Sequence, residues 1–406
     1  MIACTKNCSS QIQSRERMIP MEYRIKGQKE LDEQVRDRGL CTGCGACVNL
    51  CPYRVFYRDR TITLNPCDIP SGRCYAFCPR TPVDLDEMRR RFFEQAEFTP
   101  EIGPVKDFCI ARATDEATRE SSQHGGVVSA LMTLALEEGL IDTAIVSEGR
   151  EGFLKKGVAL SEPDEILKRG KSTFIVSPVI AEFNRVAQGD AGAIGVAATP
   201  CQAFALSRMR LKPDLPSGDN PIDKLRIVIG LFCGFTLSQA SLVELLKESS
   251  ADPETVTGME IPSGRDVLEV YTNSGLLRFP LAVVQSFIRE GCHFCIDTTA
   301  EYADLSVGSA RFSERWEENR SWNQVIVRTA RGMDLLTMAR EKGILEFRHA
   351  SPENLETLKR AAAEKKRQSL KNLAEKSGNP RDLIYLDADD AVLAALTRGD
   401  THVEAD

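Results

Sequence analysis

From about residue 105 onward the chain alternates short apolar runs with amphipathic stretches, the pattern of an α/β domain. "HGGVVSALMTLALEEGLIDTAIVS" (124–147) places Val127, Leu131, Leu134 and Ala135 on one helical face. This predicts a helix ending near Gly139 and a strand over "IDTAIVS". "AGAIGVAATPCQAFALSRMR" (191–210) repeats the form: "AIGVAA" is the strand, Thr199 a cap and Pro200 the helix entry, so Cys201 falls in the first helical turn. "LRIVIGLFCGFTL" (225–237) reads as a buried strand ending at Cys233, with Gly234 as the turn. "SPENLETLKRAAAEKKRQSLKNLAEK" (351–376) predicts a long helix starting at Ser351 or Pro352, with Leu355, Leu358 and Ala362 on its apolar face. Its lysines read as a solvated face, with docking to an acidic partner as the alternative. The tail beyond "LIYLDADDAVLAAL" reads as polar and frayed at its end.

Before residue 105 cysteines dominate. "CTGCGACVNLCP" (41–52) is C-x2-C-x2-C-x3-C-P, the spacing by which three thiolates wrap one [4Fe–4S] cube while the fourth, before proline, serves a second cube. Gly43 and Gly45 let the backbone turn tightly there, and zinc is the alternative reading of the block. "NPCDIPSGRCYAFCP" (65–79) supplies Cys67, Cys74 and Cys78. By the crossing rule one cluster takes Cys41, Cys44, Cys47 and Cys78. The other takes Cys51, Cys67 and Cys74, with Cys4, Cys8, Cys109, Ser71 or no residue as its fourth ligand.

A further pair, Cys292 and Cys295, stands at C-x-x-C spacing before an Asp-Thr-Thr-Ala-Glu run. Cys201 and Cys233 each lie just past a predicted strand, and neighbouring strand ends of one sheet converge. The four make a thiolate site drawn from three segments; the alternative is that Cys201 and Cys233 are small buried apolar residues. Gly125-Gly126 at a helix start is either an anion cradle or a plain turn.

The totals narrow the picture. At 406 residues the chain has room for two or three domains, and fourteen cysteines in a reducing compartment point to metal rather than disulfides. A net charge of −7 argues against general nucleic-acid binding. No apolar run is long enough for a membrane span, and the N-terminus lacks a secretory apolar region, so a cytoplasmic location is expected.

"HGGVVSALMTLALEEGLID", "TPCQAFAL", "IGLFCGF", "GCHFCIDTTAEYADLSVGSA" and "WNQVIVRT" occur in that order, and over about residues 38–375 the chain resembles the coenzyme F420 hydrogenase/dehydrogenase beta-subunit family. The resemblance implies a flavin-binding α/β domain with an N-terminal ferredoxin-like iron–sulfur module. It divides the chain into a polar arm (1–37), the module with its linker (38–100), an FAD and [4Fe–4S] domain (101–350) and a helical extension (351–406). It implies a [4Fe–4S] cluster on Cys201, Cys233, Cys292 and Cys295 beside an FAD, for two or three clusters in all. The FAD would lie over Gly125-Gly126, with Ser129, Lys171 and Ser172 near its phosphates or ribityl chain. Thr199, Pro200 and Gln202 would border the ring, Asp297, Thr298, Thr299 and Glu301 would bond it or shape the cleft, and Gly308 and Ser309 would allow close approach. His124 departs from the family's loop; a surface or capping role and a flavin-tuning role are both open.

The implied activity is a cytoplasmic oxidoreductase subunit that passes electrons between a hydride carrier, coenzyme F420, and the iron–sulfur chain of a partner such as a hydrogenase, formate dehydrogenase or disulfide reductase-like enzyme. No side chain is assigned as a catalytic acid or base. NAD(P)H or another reducible substrate on the same core is one alternative. A flavin-free, cluster-bearing electron-transfer adaptor is the other.

Overall fold

The computed structural model describes residues 24–93, 97–148, 155–172, 174–211, 215, 220–313 and 315–398. In chain order the strands are β1 (Arg54–Tyr57), β2 (Arg60–Thr63), β3 (Glu97–Thr99), β4 (Gly103–Val105), β5 (Asp107–Ala113), β6 (Thr143–Ser147), β7 (Gly157–Leu160) and β8 (Ile194–Ala198). They continue with β9 (Leu225–Leu231), β10 (Val256–Glu260), β11 (Val267–Thr272), β12 (Gly275–Pro280), β13 (Leu305–Ser309), β14 (Asn323–Val327) and β15 (Leu345–Arg348).

Eight strands form one mixed sheet in the order β15-β5-β14-β13-β9-β8-β6-β7. β6, β8, β9 and β13 run parallel. β14 is antiparallel to both β13 and β5, so β5 points the same way as the parallel set. The carboxyl ends of β5, β13, β9, β8 and β6 therefore share one edge, where an open α/β sheet collects its ligands. β14 is buried throughout and β9 is buried along most of its length, as strands covered on both sides must be.

Each face has its own core. On one, the helices Val127–Glu137 and Ala330–Glu341 bury Leu131, Leu134, Leu335 and Leu336 against β5, β9 and β13. On the other, the helices Val179–Val186 and Pro200–Arg210 pack together with Cys44, Ala46, Ala76 and Phe77 of the cysteine-rich module. The module is thus seated on the helical layer of the α/β domain rather than hung from a linker. It also begins earlier than residue 38, because Leu31 and Val35 on the helical stretch Gln28–Arg36 are already buried in it.

The elements read from the sequence are present: Val127–Glu137 stops before Gly139, Cys201 lies in the first turn of Pro200–Arg210, and a helix spans Pro352–Ser377. Thr199 and Gln202 close a reciprocal cap at the second of these, and Ser351 and Asn354 at the third. One reading needs correction. The lysines of the long helix are not all solvated: Lys366 is 2% exposed and Lys365 reaches main-chain carbonyls of the sheet edge. The stretch 383–396 folds back, with Tyr385, Leu386 and Leu393 buried against Leu31, Leu370 and Phe294; the tail beyond residue 398 lies outside the described residues. Among the described residues no helix is long and apolar enough to cross a membrane.

Candidate functional site

Twelve cysteines lie in the described residues, all free thiols; Cys4 and Cys8 lie outside them. Eleven of the twelve fall into three neighbourhoods, and the twelfth, Cys109, is buried on β5 in the apolar core. Burial pushes the Cys109 thiol up to about 12, and that position removes it as a ligand for the N-terminal module.

In the first neighbourhood Gly43 and Gly45 take φ of 71° and 85°, the left-handed turns that coil the C-x2-C-x2-C loop. Burial raises Cys47 to about 12 and Cys78 to about 11; for Cys47 the Arg54 guanidinium pulls back, while Cys41, Cys78 and Cys74 push further. The thiols of Cys41, Cys44, Cys47 and Cys78 therefore crowd one another as the crossing rule requires. In the second neighbourhood burial lifts Cys74, Arg54 opposes the lift, and Cys51 and Cys67 add to it. Arg54, 3% exposed and paired with Asp32, stands between the two sets, 4.0 Å from Cys47 Sγ.

The third neighbourhood is the sheet-edge site. Cys201, Cys233, Cys292 and Cys295 line one cavity of about 360 Å³, counting its open mouth, together with Thr42, Thr199, Pro200, Thr236 and Lys365. Each thiol is placed by a different constraint. Cys201 sits in the capped turn after β8, while Cys233 follows β9 and donates its backbone N–H to Thr298 O (2.9 Å). Cys292 and Cys295 lie on the 290–295 turn, with Thr236 N and Oγ1 each 3.4 Å from Cys292 Sγ. Burial lifts Cys201 to about 11, and Cys295 adds to the lift. For Cys233 burial again raises the pKa, Lys365 opposes, and Cys292, Cys201 and Cys295 reinforce the rise.

Cys201 and Cys233 sit where burial and the neighbouring thiols oppose ionisation; a polynuclear cation removes that conflict by taking the four as thiolates. Thr42 Oγ1, buried on the wall of this cavity beside Cys201, is a hydroxyl placed to donate to a ligand sulfur or a bound sulfide. Four thiols from three segments around one cavity of this size fit a [4Fe–4S] cube.

The cavity adjoins the first neighbourhood. Gly291 leaves no room for a side chain, since a Cβ there would come within 2.6 Å of Cys41 O, and Cys201 is close enough to add to the rise of the Cys44 thiol. Arg80, directly after Cys78-Pro79, is buried and donates to Phe294 O (3.0 Å) and Gly291 O (3.2 Å). The order along the molecule is third set, first set, second set.

The residues expected around a flavin fall at two places on the same edge. Gly125, Gly126, Lys171, Ser172 and Ser309 gather about His124: Gln123 accepts from Ser172 N, and His124 Nε2 lies 2.6 Å from Ser309 Oγ. Thr199 and Pro200 line the cysteine cavity. Several others have internal partners. Gln202 turns inward to Thr199 and to Ser177 O (2.5 Å), and Ser129 is buried against Ser122 Oγ (2.8 Å). Asp297 accepts from Thr299 N and Glu301 N within its own loop, and Thr299 lies under Arg328. Glu301 pairs with Lys366 (2.5 Å), and Thr298 Oγ1 is buried without a partner. The close approach expected at Gly308 is taken by the Phe232 ring.

His124 is not a surface residue. Its φ is 56°, its ring packs edge-on to Trp316 at 5.7 Å, and Nδ1 is 3.5 Å from Glu260 Oε1. Burial pushes the imidazole down to about 4, so it is neutral at pH 7, and burial raises the Glu260 carboxyl. A histidine whose folded pKa lies below the unfolded value of about 6.5 loses stability as pH falls between those values. His124→Asn, which tolerates the left-handed backbone, is expected to flatten the pH dependence of the urea midpoint between about 6.5 and about 4. The expected difference from wild type reaches on the order of 3 kcal/mol at the acid end.

Sequence reasoning missed Arg54, Arg80, Lys365, Tyr385 and Glu260. Only Arg80 carried a local signal, standing next to a ligand-type Cys-Pro.

Comparison with known proteins follows the same lines. Residues 192–353 match the family model for the C terminus of the "Coenzyme F420 hydrogenase/dehydrogenase, beta subunit", residues 108–182 the model for its N terminus, and residues 35–57 a 4Fe-4S binding domain. Coenzyme F420 hydrogenase subunit beta of Methanothermobacter thermautotrophicus is 29% identical over 67% of this chain and 95% of its own length. The coenzyme F420-dependent sulfite reductase of Methanocaldococcus jannaschii is 28% identical over 74% of this chain and 46% of its own. A solved chain of the F420-reducing [NiFe] hydrogenase complex of Methanosarcina barkeri superposes with a TM-score of 0.60 at 30% identity, covering 69% of this chain and 94% of that one.

Proposed function

The chain belongs to the coenzyme F420 hydrogenase/dehydrogenase beta-subunit family, and on that premise we propose that it is a flavin- and cluster-bearing subunit passing electrons between a deazaflavin hydride carrier and a partner's iron–sulfur chain. The observation that carries the reading is the set of four thiols from three segments around one cavity at the carboxyl edge, abutting the N-terminal cysteine module.

In this reading Cys201, Cys233, Cys292 and Cys295 hold a [4Fe–4S] cluster, and Thr42 and Thr236 donate hydrogen bonds to it. Cys41, Cys44, Cys47 and Cys78 hold a second, and Cys51, Cys67 and Cys74 contribute to a third. An FAD laid along the edge would trade hydride with the carrier and single electrons with the clusters. Gly125, Gly126, Lys171, Ser172 and Ser309 would hold its phosphate side, and Thr199 and Pro200 its ring side. Neutral His124 beside Glu260 can donate or accept a hydrogen bond at that edge. The nested cysteine sets lead outward to the module surface, where a partner protein would dock.

Iron and flavin analysis of anaerobically purified protein is expected to give about eight to twelve irons and one FAD per chain. Reduced deazaflavin is expected to bleach the flavin within the mixing time of a stopped-flow experiment. Iron without flavin would leave a cluster-bearing adaptor. Bleaching by NADH and not by the deazaflavin would assign another carrier to the same core.

A further inference from the structure

The long helix Pro352–Ser377 begins where the matched family region ends, at residue 353. Its inner row lies along the loop that bears two of the sheet-edge thiols. Lys365 Nζ donates to Cys233 O and Asp297 O, both at 2.9 Å. Ser369 Oγ donates to Cys295 O at 2.9 Å, and Asn372 Nδ2 to His293 O at 2.8 Å. Lys376 pairs with Glu290 at 3.0 Å. Spacings of four, three and four residues keep these groups on one helix face.

Beyond the helix the chain returns, and Tyr385 OH donates to Phe294 O (2.7 Å) while its ring lies 5.0 Å from the Arg80 guanidinium. The Tyr385 hydroxyl also accepts from Arg80 Nη1. Arg80 is thereby pinned facing Cys295 and Cys201. Arg80 and Lys365 are satisfied by carbonyls and a phenol, so no carboxylate cancels their charge through these bonds. Asp297, the acidic residue closest in sequence, turns both oxygens to the N–H groups of Thr299 and Glu301.

We propose that the C-terminal segment 352–396 is an electrostatic clamp that raises the reduction potential of the cluster held by Cys201, Cys233, Cys292 and Cys295, with Lys365 acting directly and Tyr385 acting as the positioning residue for Arg80. The inference rests on those four thiols binding a cluster. Reduction adds one electron to the cube, so a buried cation favours the reduced form more than the oxidised one, and the surroundings of the sulfurs are the protein's means of setting potential. The clamp would make the flavin-side cluster the readily reduced member of the row, collecting electrons before they move outward.

The test is a redox titration of the full chain followed by electron paramagnetic resonance, with iron content measured on each sample. Lys365→Met and Arg80→Met are each expected to cut the reduced fraction of one cluster at fixed potential by about tenfold, a shift of 59 mV for a one-electron couple. The signals of the remaining clusters are expected to stay in place. Lys365→Arg, which keeps the charge, should restore the wild-type midpoint, and Tyr385→Phe should move it part of the way in the same direction as Arg80→Met. Full iron with an unmoved midpoint in both methionine variants overturns the clamp alone. A wild-type chain whose sheet-edge thiols bind no iron overturns it together with the reading on which it rests.

Discussion

Cys201→Ser is expected to lower bound iron by about four atoms per chain, to leave the N-terminal module's clusters in place, and to stop electron flow from the hydride carrier to them. The thiol lies in the first turn of a capped helix, with both the cap and the cavity built around it. Serine keeps the turn but offers a hydroxyl that resists ionisation, in a site where burial already pushes even the thiol to about 11. The first neighbourhood has its own thiols and its own buried residues, Leu40, Ala46 and Phe77, so its clusters have no need of Cys201. Iron analysis with resonance spectra reads the first two effects, and dye reduction by reduced deazaflavin reads the third. Cys109→Ser is the matched control, because that thiol sits in the sheet core away from every cysteine set and should leave iron content unchanged. Retention of all the iron in Cys201→Ser would remove this residue from the cluster.

What the sequence disclosed depended on how local the determinants were. The C-x2-C-x2-C-x3-C-P block reads on sight because four ligands within eleven residues share a loop, and the glycines that loop needs stand between them. The sheet-edge site was half legible: Cys292 and Cys295 announce themselves, while Cys201 and Cys233 had to be joined by the expectation that adjacent parallel strands end together, as β8 and β9 do. The direction of the flanking strands was not legible. A strand such as Asn323–Val327, buried throughout, looks the same whether it runs parallel or antiparallel.

The charged residues behind the site were out of reach for a related reason. Lys365 and Lys366 are two of several lysines on a helix whose apolar stripe is short, and composition does not tell which are turned inward. Their acceptors, Cys233 O, Asp297 O and Glu301, lie 65 or more residues away in the chain. Arg80 and Tyr385 are 305 residues apart and meet only because residues 383–396 return over the cysteine module. A ligand set can be written into a short motif, but the charge around it is set by tertiary packing, and only the folded chain displays it.

Arg328→Met is expected to destabilise the protein by about 4 kcal/mol and to loosen the sheet-edge site without touching it. Arg328 is 0% exposed and makes five hydrogen bonds: Nε to Ser306 Oγ (2.8 Å), Nη1 to Ile102 O (2.7 Å) and Pro104 O (2.8 Å), and Nη2 to Thr299 O (3.1 Å) and Thr299 Oγ1 (2.9 Å). Burial pushes its pKa down to about 10, which still leaves it charged at neutral pH. Methionine fills a similar volume but leaves the carbonyls of Pro104 and Thr299 without this donor, at about 1–3 kcal/mol for each buried acceptor left unmet. Arg328→Lys should recover only part of the loss, since an ammonium does not span acceptors on four residues as the planar fork does. The 297–301 loop would loosen next, because Thr299 is its anchor and Thr298 O receives the backbone N–H of Cys233. Thermal unfolding followed by near-ultraviolet dichroism should show the early transition, and iron should be lost first from the sheet-edge cluster rather than from the module. A loss below about 1 kcal/mol would mean that water reaches those carbonyls, and that Arg328 holds the loop less firmly than its five bonds imply.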